Sequence, residues 1–155
     1  LKLEQKEKEI TDSIRYAMRI QQAKLPDLNT IYNFLPNSSI LFKPKDIVSG
    51  DFYFFQKKSD LLFIAAGDCT GHGVPGAIMS MIGSERLEDA VHENSDVSKV
   101  LKQLNIGIKR ALRQSDNDDS TRDGMDIALC SIESDTRIVN YAGANRPLWI
   151  VRNHT

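Results

Sequence analysis

Residues Gly67–Ala77 read GDCTGHGVPGA, with four glycines, a proline, a histidine and an aspartate in eleven positions. An apolar run of strand length, Leu61 to Ala66 (LLFIAA), leads into it, and an apolar segment of helical length follows. The stretch therefore sits where a strand hands over to a helix. Three readings are open at this point: a phosphate cradle, a metal site, or a bare turn.

Gly71, Gly73 and Gly76 satisfy G-x-G-x-x-G, the pattern of a dinucleotide-binding turn. Such a unit needs a second strand soon after the helix, ending in an acidic residue that takes the ribose. Here a second helical segment, Val97 to Leu112, comes next, and no strand pattern returns until about Met125. Pro75 also falls inside the turn. A Walker-type loop is excluded because no Lys-Ser/Thr follows the last glycine.

On the N-terminal side of the loop, Asp51 to Gln56 (DFYFFQ) reads as a strand, and the polar turn KKSD joins it to Leu61–Ala66 as an antiparallel hairpin. Ile40–Phe42 reads as a further short strand, stopped near Pro44. On the C-terminal side, Pro75 to Glu93 reads as a helix, apolar or small all round in its first half and so expected to be buried there. Val97, Val100, Leu101, Leu104, Ile108, Ala111 and Leu112 give the next helix one apolar face, with Ser95 or Asp96 placed to cap it. Gln114 to Gly124 is polar and helix-breaking, a solvated loop or a flap over a site. Strands are expected at Ile127–Ile132, Ile138–Tyr141 and Leu148–Val151, joined by ESDT and GANRP turns. Hairpin-length links within each strand group predict antiparallel sheet and an α+β fold.

The first 25 residues read as a helix ended by Pro26. Leu3, Ile10 and Ala17 lie seven apart, with Ile14, Met18 and Leu25 near the same stripe. The helix either docks on its own domain or ends a parallel coiled coil. Glu7, Gln21 and Lys24 near the seam favour docking.

Length and composition bound the function. A chain of 155 residues, 41% hydrophobic and 26% charged, suits one soluble domain with a substantial core. A formal net charge of −1 gives no electrostatic case for nucleic acid. No apolar run approaches the ~20 residues that span a bilayer, and no signal peptide is visible. Cys69 and Cys130 match no zinc spacing and read as free thiols in a reducing, cytoplasmic compartment. A start at Leu1 rather than methionine suggests a piece of a longer protein.

Two Gly-Asp pairs remain. Gly50-Asp51 begins one strand of the hairpin and Gly67-Asp68 ends the other, so the two aspartates are expected to converge at one rim. Adjacent carboxylates repel unless a cation intervenes. Hard divalent ions take carboxylates and backbone carbonyls, and glycines let backbone approach such an ion. The competing reading is a pair of turn aspartates bonded to local backbone. His72 reads as a turn or substrate-side residue, and His92 and His154 as surface residues.

The segments FKPKDIVSGDFYFF, LLFIAAGDCTGHGVPGAIMSMIG, DGMDIALCSIE and IVNYAGANRPLWIVR resemble, in that order, the SpoIIE-like branch of the metal-dependent serine/threonine protein phosphatases (the PPM, or protein phosphatase 2C-like, family). The likeness runs from about Ile10 to Arg152. EITDSIRYAMRIQQAKLP resembles the helical lead-in that joins such domains to an upstream sensor. The organisation implied is a linker or coiled-coil-like helix over 1–25 and a partial phosphatase domain over 26–155.

The resemblance implies a β-sandwich of two antiparallel sheets flanked by helices, with two Mn²⁺ or Mg²⁺ ions at one rim. Asp68 would bridge the ions, Cys69 would offer its backbone carbonyl, and Asp51 would contribute directly or through water. Gly50, Gly67, Gly71 and Gly73 would shape the loop. The implied reaction is hydrolysis of phosphoserine or phosphothreonine by a water between the ions. The substrate could be a phosphorylated anti-sigma-factor antagonist. The family's later acidic motifs are missing, and RDGMD (Arg122–Asp126) matches a middle strand rather than one of them, so no metal role passes to Asp123 or Asp126. The expectation is a chain that holds metal poorly, an inactive fragment being one outcome, with apolar sheet edges suited to a homodimer. The rival reading is a non-catalytic, phosphatase-like interaction module.

Overall fold

The computed structural model describes residues 2–114 and 123–152. Helices α1 (Lys2–Lys24) and α2 (Leu28–Phe34) precede strands β1 (Asp51–Lys58) and β2 (Leu61–Cys69). Then come α3 (Gly73–Glu93), α4 (Val97–Ala111), β3 (Met125–Glu133) and β4 (Val139–Ala144). The strands form one antiparallel sheet in the order β1-β2-β3-β4. The fold is α+β. Of the two sheets of a sandwich, the described residues form one.

Strand alternation divides the sheet into two faces. Phe52, Phe54, Phe63, Ala65, Ile127 and Leu129 point one way. They pack with Leu87 and Val91 of α3 and Val100, Leu104 and Ile108 of α4 into the buried core. Asp96 caps α4, its Oδ1 accepting from the amides of Ser98 and Lys99 at 2.9 Å each. Lys58 caps the other helix: its ammonium donates to the carbonyls of Val91, His92 and Asn94 at 2.8, 2.9 and 3.1 Å. That satisfies orphan acceptors at the C-terminal end of α3, where a cation is also favoured by the helix dipole. The first half of α3 is not buried on every side as its composition suggests. Val74 and Ile78, one turn apart, face outward because sheet, α1 and α4 cover only the other sides of the helix.

The opposite face of the sheet carries Tyr53, Phe55, Ile64, Ala66, Ala128 and Cys130. Phe34 of α2 stacks on Phe55 at 5.8 Å between ring centroids, and Phe42 meets Tyr53 edge-on at 5.5 Å. Phe42 thus docks the segment Ile40–Phe42 on this face, and the segment is not a strand. Leu148–Val151 is not one either. No described strand offers either segment a ladder of hydrogen-bond partners. A cavity of about 680 Å³ opens between this face and residues 38–43 and 146–148. The α2 helix, unforeseen in the sequence, follows Asp27, whose carboxylate accepts from the Thr30 amide at 2.9 Å.

Along α1, residues 2–10 are exposed, whereas Thr11, Ile14, Ala17, Met18 and Gln21 turn inward at helical spacing. Gln21, a flaw in the apolar seam, is the one buried residue of the helix, 6% exposed. Its Nε2 donates to the Ser49 carbonyl (2.6 Å) and Ser80 Oγ (2.8 Å), and its Oε1 accepts from the Ser49 amide (2.9 Å). The C-terminal half of α1 is thus docked. No helix among the described residues is long and apolar enough to cross a membrane.

Candidate metal centre

The hairpin brings the two predicted aspartates together. Asp51 pairs directly with Asp68 across β1 and β2, and Asp68 pairs with Asp126 across β2 and β3. Paired residues on neighbouring strands project from the same face. All three therefore stand in one row at the rim of the face that lines the cavity, away from the helical core.

The Asp51 carboxyl titrates above the ordinary aspartate value of 3.8. Partial burial is the largest cause, followed by the charge of Asp68 and a hydrogen bond shared with it; Arg146 pulls the other way. Two carboxyl groups held close together behave in this manner. Ser49 Oγ accepts from the Asp51 amide at 3.0 Å and holds the start of β1. Since Ser49 is also gripped by Gln21, the carboxylate rim is tied through one residue to α1.

The glycine loop closes against this rim by backbone contact. A Cβ on Gly50 would lie 2.9 Å from the Gly71 carbonyl oxygen and 3.3 Å from that of Cys69. One on Gly76 would lie 2.7 Å from the Gly71 carbonyl oxygen. Only glycine allows this approach. Gly71 and Gly73 adopt φ of +87° and +60°, the left-handed region, to make the turn. Cys69 is buried and its thiol is pushed up to about 12, by burial first and then by Asp68 and Asp51. It stays protonated, so only its backbone remains of chemical interest.

Beyond Asp51, Asp68, Cys69 and Asp126, three side chains reach the rim that the sequence pattern does not assign to it. Arg146 donates from its guanidinium to Asp68 Oδ2, with its Nε 3.7 Å from Asp126 Oδ2. Asn145 Nδ2 donates to Asp126 Oδ2 at 2.9 Å. Thr70 Oγ1 donates to Asp123 Oδ1 at 3.0 Å and accepts from the Gly124 amide at 3.1 Å, clamping the segment before β3 to the loop. Asp126 joins the row only through the β2–β3 register, which no local pattern sets. Nothing local in the sequence points to Arg146. His72 is exposed and faces Asp46, Nδ1 to Oδ2 3.2 Å, as a loop residue rather than part of the carboxylate row. His154 and most of the Gln114–Gly124 loop lie outside the described residues.

Residues 58–155 match the family model described as Stage II sporulation protein E (SpoIIE). The chain belongs to the SpoIIE family. Among solved structures it is similar to the SiaA-PP2C domain of Pseudomonas aeruginosa, at 34% identity and a TM-score of 0.77. The match covers 89% of this chain and 55% of that one, so the chain spans about half the length of the solved domain. No curated protein matches it. As a SpoIIE-family chain with a PP2C-like fold, it is a phosphatase-family module.

The PP2C-like fold implies Mn²⁺ or Mg²⁺, and the donor set fits such ions. Asp51 and Asp68 offer hard carboxylate oxygens side by side, their repulsion is the kind a divalent cation relieves, and bare glycine backbone opens carbonyl oxygens beside them. Among the described residues no three His, Cys, Asp or Glu side chains converge as a complete ligand group. Asp126 shares the row but is engaged by Asn145 and Arg146.

Proposed function

We propose that this chain carries the first carboxylates of a metal-dependent protein serine/threonine phosphatase of bacterial signalling, working in the cytoplasm on a phosphoprotein such as an anti-sigma-factor antagonist. The observation that carries the proposal is the direct pairing of Asp51 with Asp68 on neighbouring strands at a cavity rim. Asp51, Asp68 and the backbone carbonyl of Cys69 would hold the ions. Two divalent ions bound there would supply an ionised water at neutral pH and offset charge on the phosphoryl and leaving oxygens.

The reaction is direct hydrolysis: the oxygen of the ionised water bonds to phosphorus, the ester P–O bond breaks, and the leaving serine or threonine oxygen takes up from solvent the proton the water had released. The chain's own part is placement. The hairpin register sets the carboxylates side by side, Ser49 holds the Asp51 backbone, and the glycine contacts fix the loop. The Cys69 thiol, protonated and buried, offers no competing nucleophile. The Gln21–Ser49 link supports α1 as the route from an upstream sensor. Exposed Trp149, Ile150 and Val151 support pairing with a second copy.

The test is hydrolysis of an aryl phosphate and a phosphoprotein by the full-length protein with and without Mn²⁺. EDTA should abolish turnover, and Asp68→Asn should lower kcat/KM by about 100-fold or more. Turnover indifferent to chelator would refute the mechanism. The guanidinium on Asp68 favours a second reading, a binding module whose carboxylates are neutralised without metal. Absence of Mn²⁺ binding would select it.

A further inference from the structure

The turn after β4 is built to hold one side chain over the carboxylate row. Asn145 adopts a left-handed φ of 58°, forms an isolated bridge with Ile127, and donates to Asp126. The Tyr141 hydroxyl donates to the Arg146 carbonyl from the other side. Pinned at both ends, the turn delivers the Arg146 guanidinium to Asp68 and Asp126 at the mouth of the cavity, with its side chain 46% exposed.

A guanidinium presents a planar fork of donors that fits carboxylate and phosphoryl oxygens equally well. Three carboxylates in a row attract it strongly while no other cation is near. Divalent ions on Asp51 and Asp68 would take up that negative charge and repel the guanidinium by Coulomb's law. Arginine does not lose its proton, so the released fork stays charged and available to another anion. Within reach of the same rim, the anion that enters during turnover is the phosphoryl group of the substrate.

We infer that Arg146 is a substrate-binding residue that grips non-bridging oxygens of the phosphoryl dianion, and that its ion pairs with Asp68 and Asp126 are the resting arrangement of the same side chain. This rests on the phosphatase reading above.

The experiment uses the full-length protein with Mn²⁺ and inorganic phosphate as probes, comparing wild type with Arg146→Gln and Arg146→Lys. Calorimetric Mn²⁺ titration comes first, and phosphate titration of the loaded protein follows. Arg146→Gln should keep or tighten Mn²⁺ binding, because a competing cation is gone. It should weaken phosphate binding about 10-fold or more, the size expected for charge-assisted hydrogen bonds. KM for a phosphopeptide should rise in step, with a smaller change in kcat. Arg146→Lys, which keeps charge without the fork and guards against a folding defect, should fall between.

Phosphate affinity within twofold of wild type in Arg146→Gln would overturn the inference, and so would a loss of Mn²⁺ affinity, which marks a purely structural role. Wild type that binds Mn²⁺ and phosphate but hydrolyses nothing would sink the phosphatase reading while leaving the phosphate contact measurable. Wild type that binds no Mn²⁺ would sink both.

Discussion

Replacing Gln21 by alanine should unsettle both the fold and the carboxylate rim. The amide is buried and makes three hydrogen bonds, two to the Ser49 backbone and one to Ser80 Oγ. In its absence the Ser49 carbonyl still accepts from Ser80 Oγ at 3.1 Å, but the Ser49 amide, in a residue only 5% exposed, loses its partner. An orphaned buried donor costs about 1–3 kcal/mol. The space vacated between α1 and α3 adds roughly another 1 kcal/mol if the site collapses only in part.

The expected loss is therefore about 2–4 kcal/mol, lowering Tm by roughly 5–15 °C for a domain of this size. Urea unfolding followed by circular dichroism measures it. Because Ser49 Oγ holds the Asp51 amide, Mn²⁺ affinity should fall in the folded variant as well. A loss under about 0.5 kcal/mol, the range of ordinary surface substitutions, would refute the role assigned to Gln21.

Asp51→Asn should stabilise the metal-free protein at neutral pH while weakening Mn²⁺ binding. Its carboxyl titrates above the unfolded value, so its contribution to stability is fully present below that value and is lost as pH rises through the raised one. The gain in Tm in EDTA should accordingly vanish in acid, and a gain equal at all pH values would contradict the cause given. Lys58→Met removes three bonds to the end of α3 and should cost about 1–2 kcal/mol, with faster amide exchange confined first to that end. Cys69, with its thiol pushed up to about 12, should resist iodoacetamide at pH 8 in the native protein and react after unfolding. Rapid native labelling, read by mass spectrometry, would count against that burial.

The legible parts of the fold are those governed by near neighbours. A short polar turn between two apolar runs forces an antiparallel hairpin, and that hairpin alone sets Asp51 opposite Asp68. The apolar face of α4 and its Asp96 cap follow from helical spacing. The aromatic run in β1 shows no alternation, and both of its faces are indeed covered: Phe52 and Phe54 by the helical core, Phe55 and Tyr53 by α2 and Phe42. Where the sequence pattern misleads, a partner is lacking among the described residues or distant in the chain. Ile40–Phe42 and Leu148–Val151 have strand composition, yet strand geometry persists only where another backbone completes the ladder.

By itself the sequence determined the α+β class, the hairpin and the pair of carboxylates at its rim, since each depends on residues a few positions apart or joined by one tight turn. Tertiary structure alone decided that Gln21 anchors α1 to Ser49, that Asp126 extends the carboxylate row, and that Arg146 reaches across from the end of β4 to Asp68. Those contacts join segments tens of residues apart. Their geometry exists only once β3 and β4 are in register and the helices have packed, because no local periodicity encodes which distant side chain will arrive at a given rim.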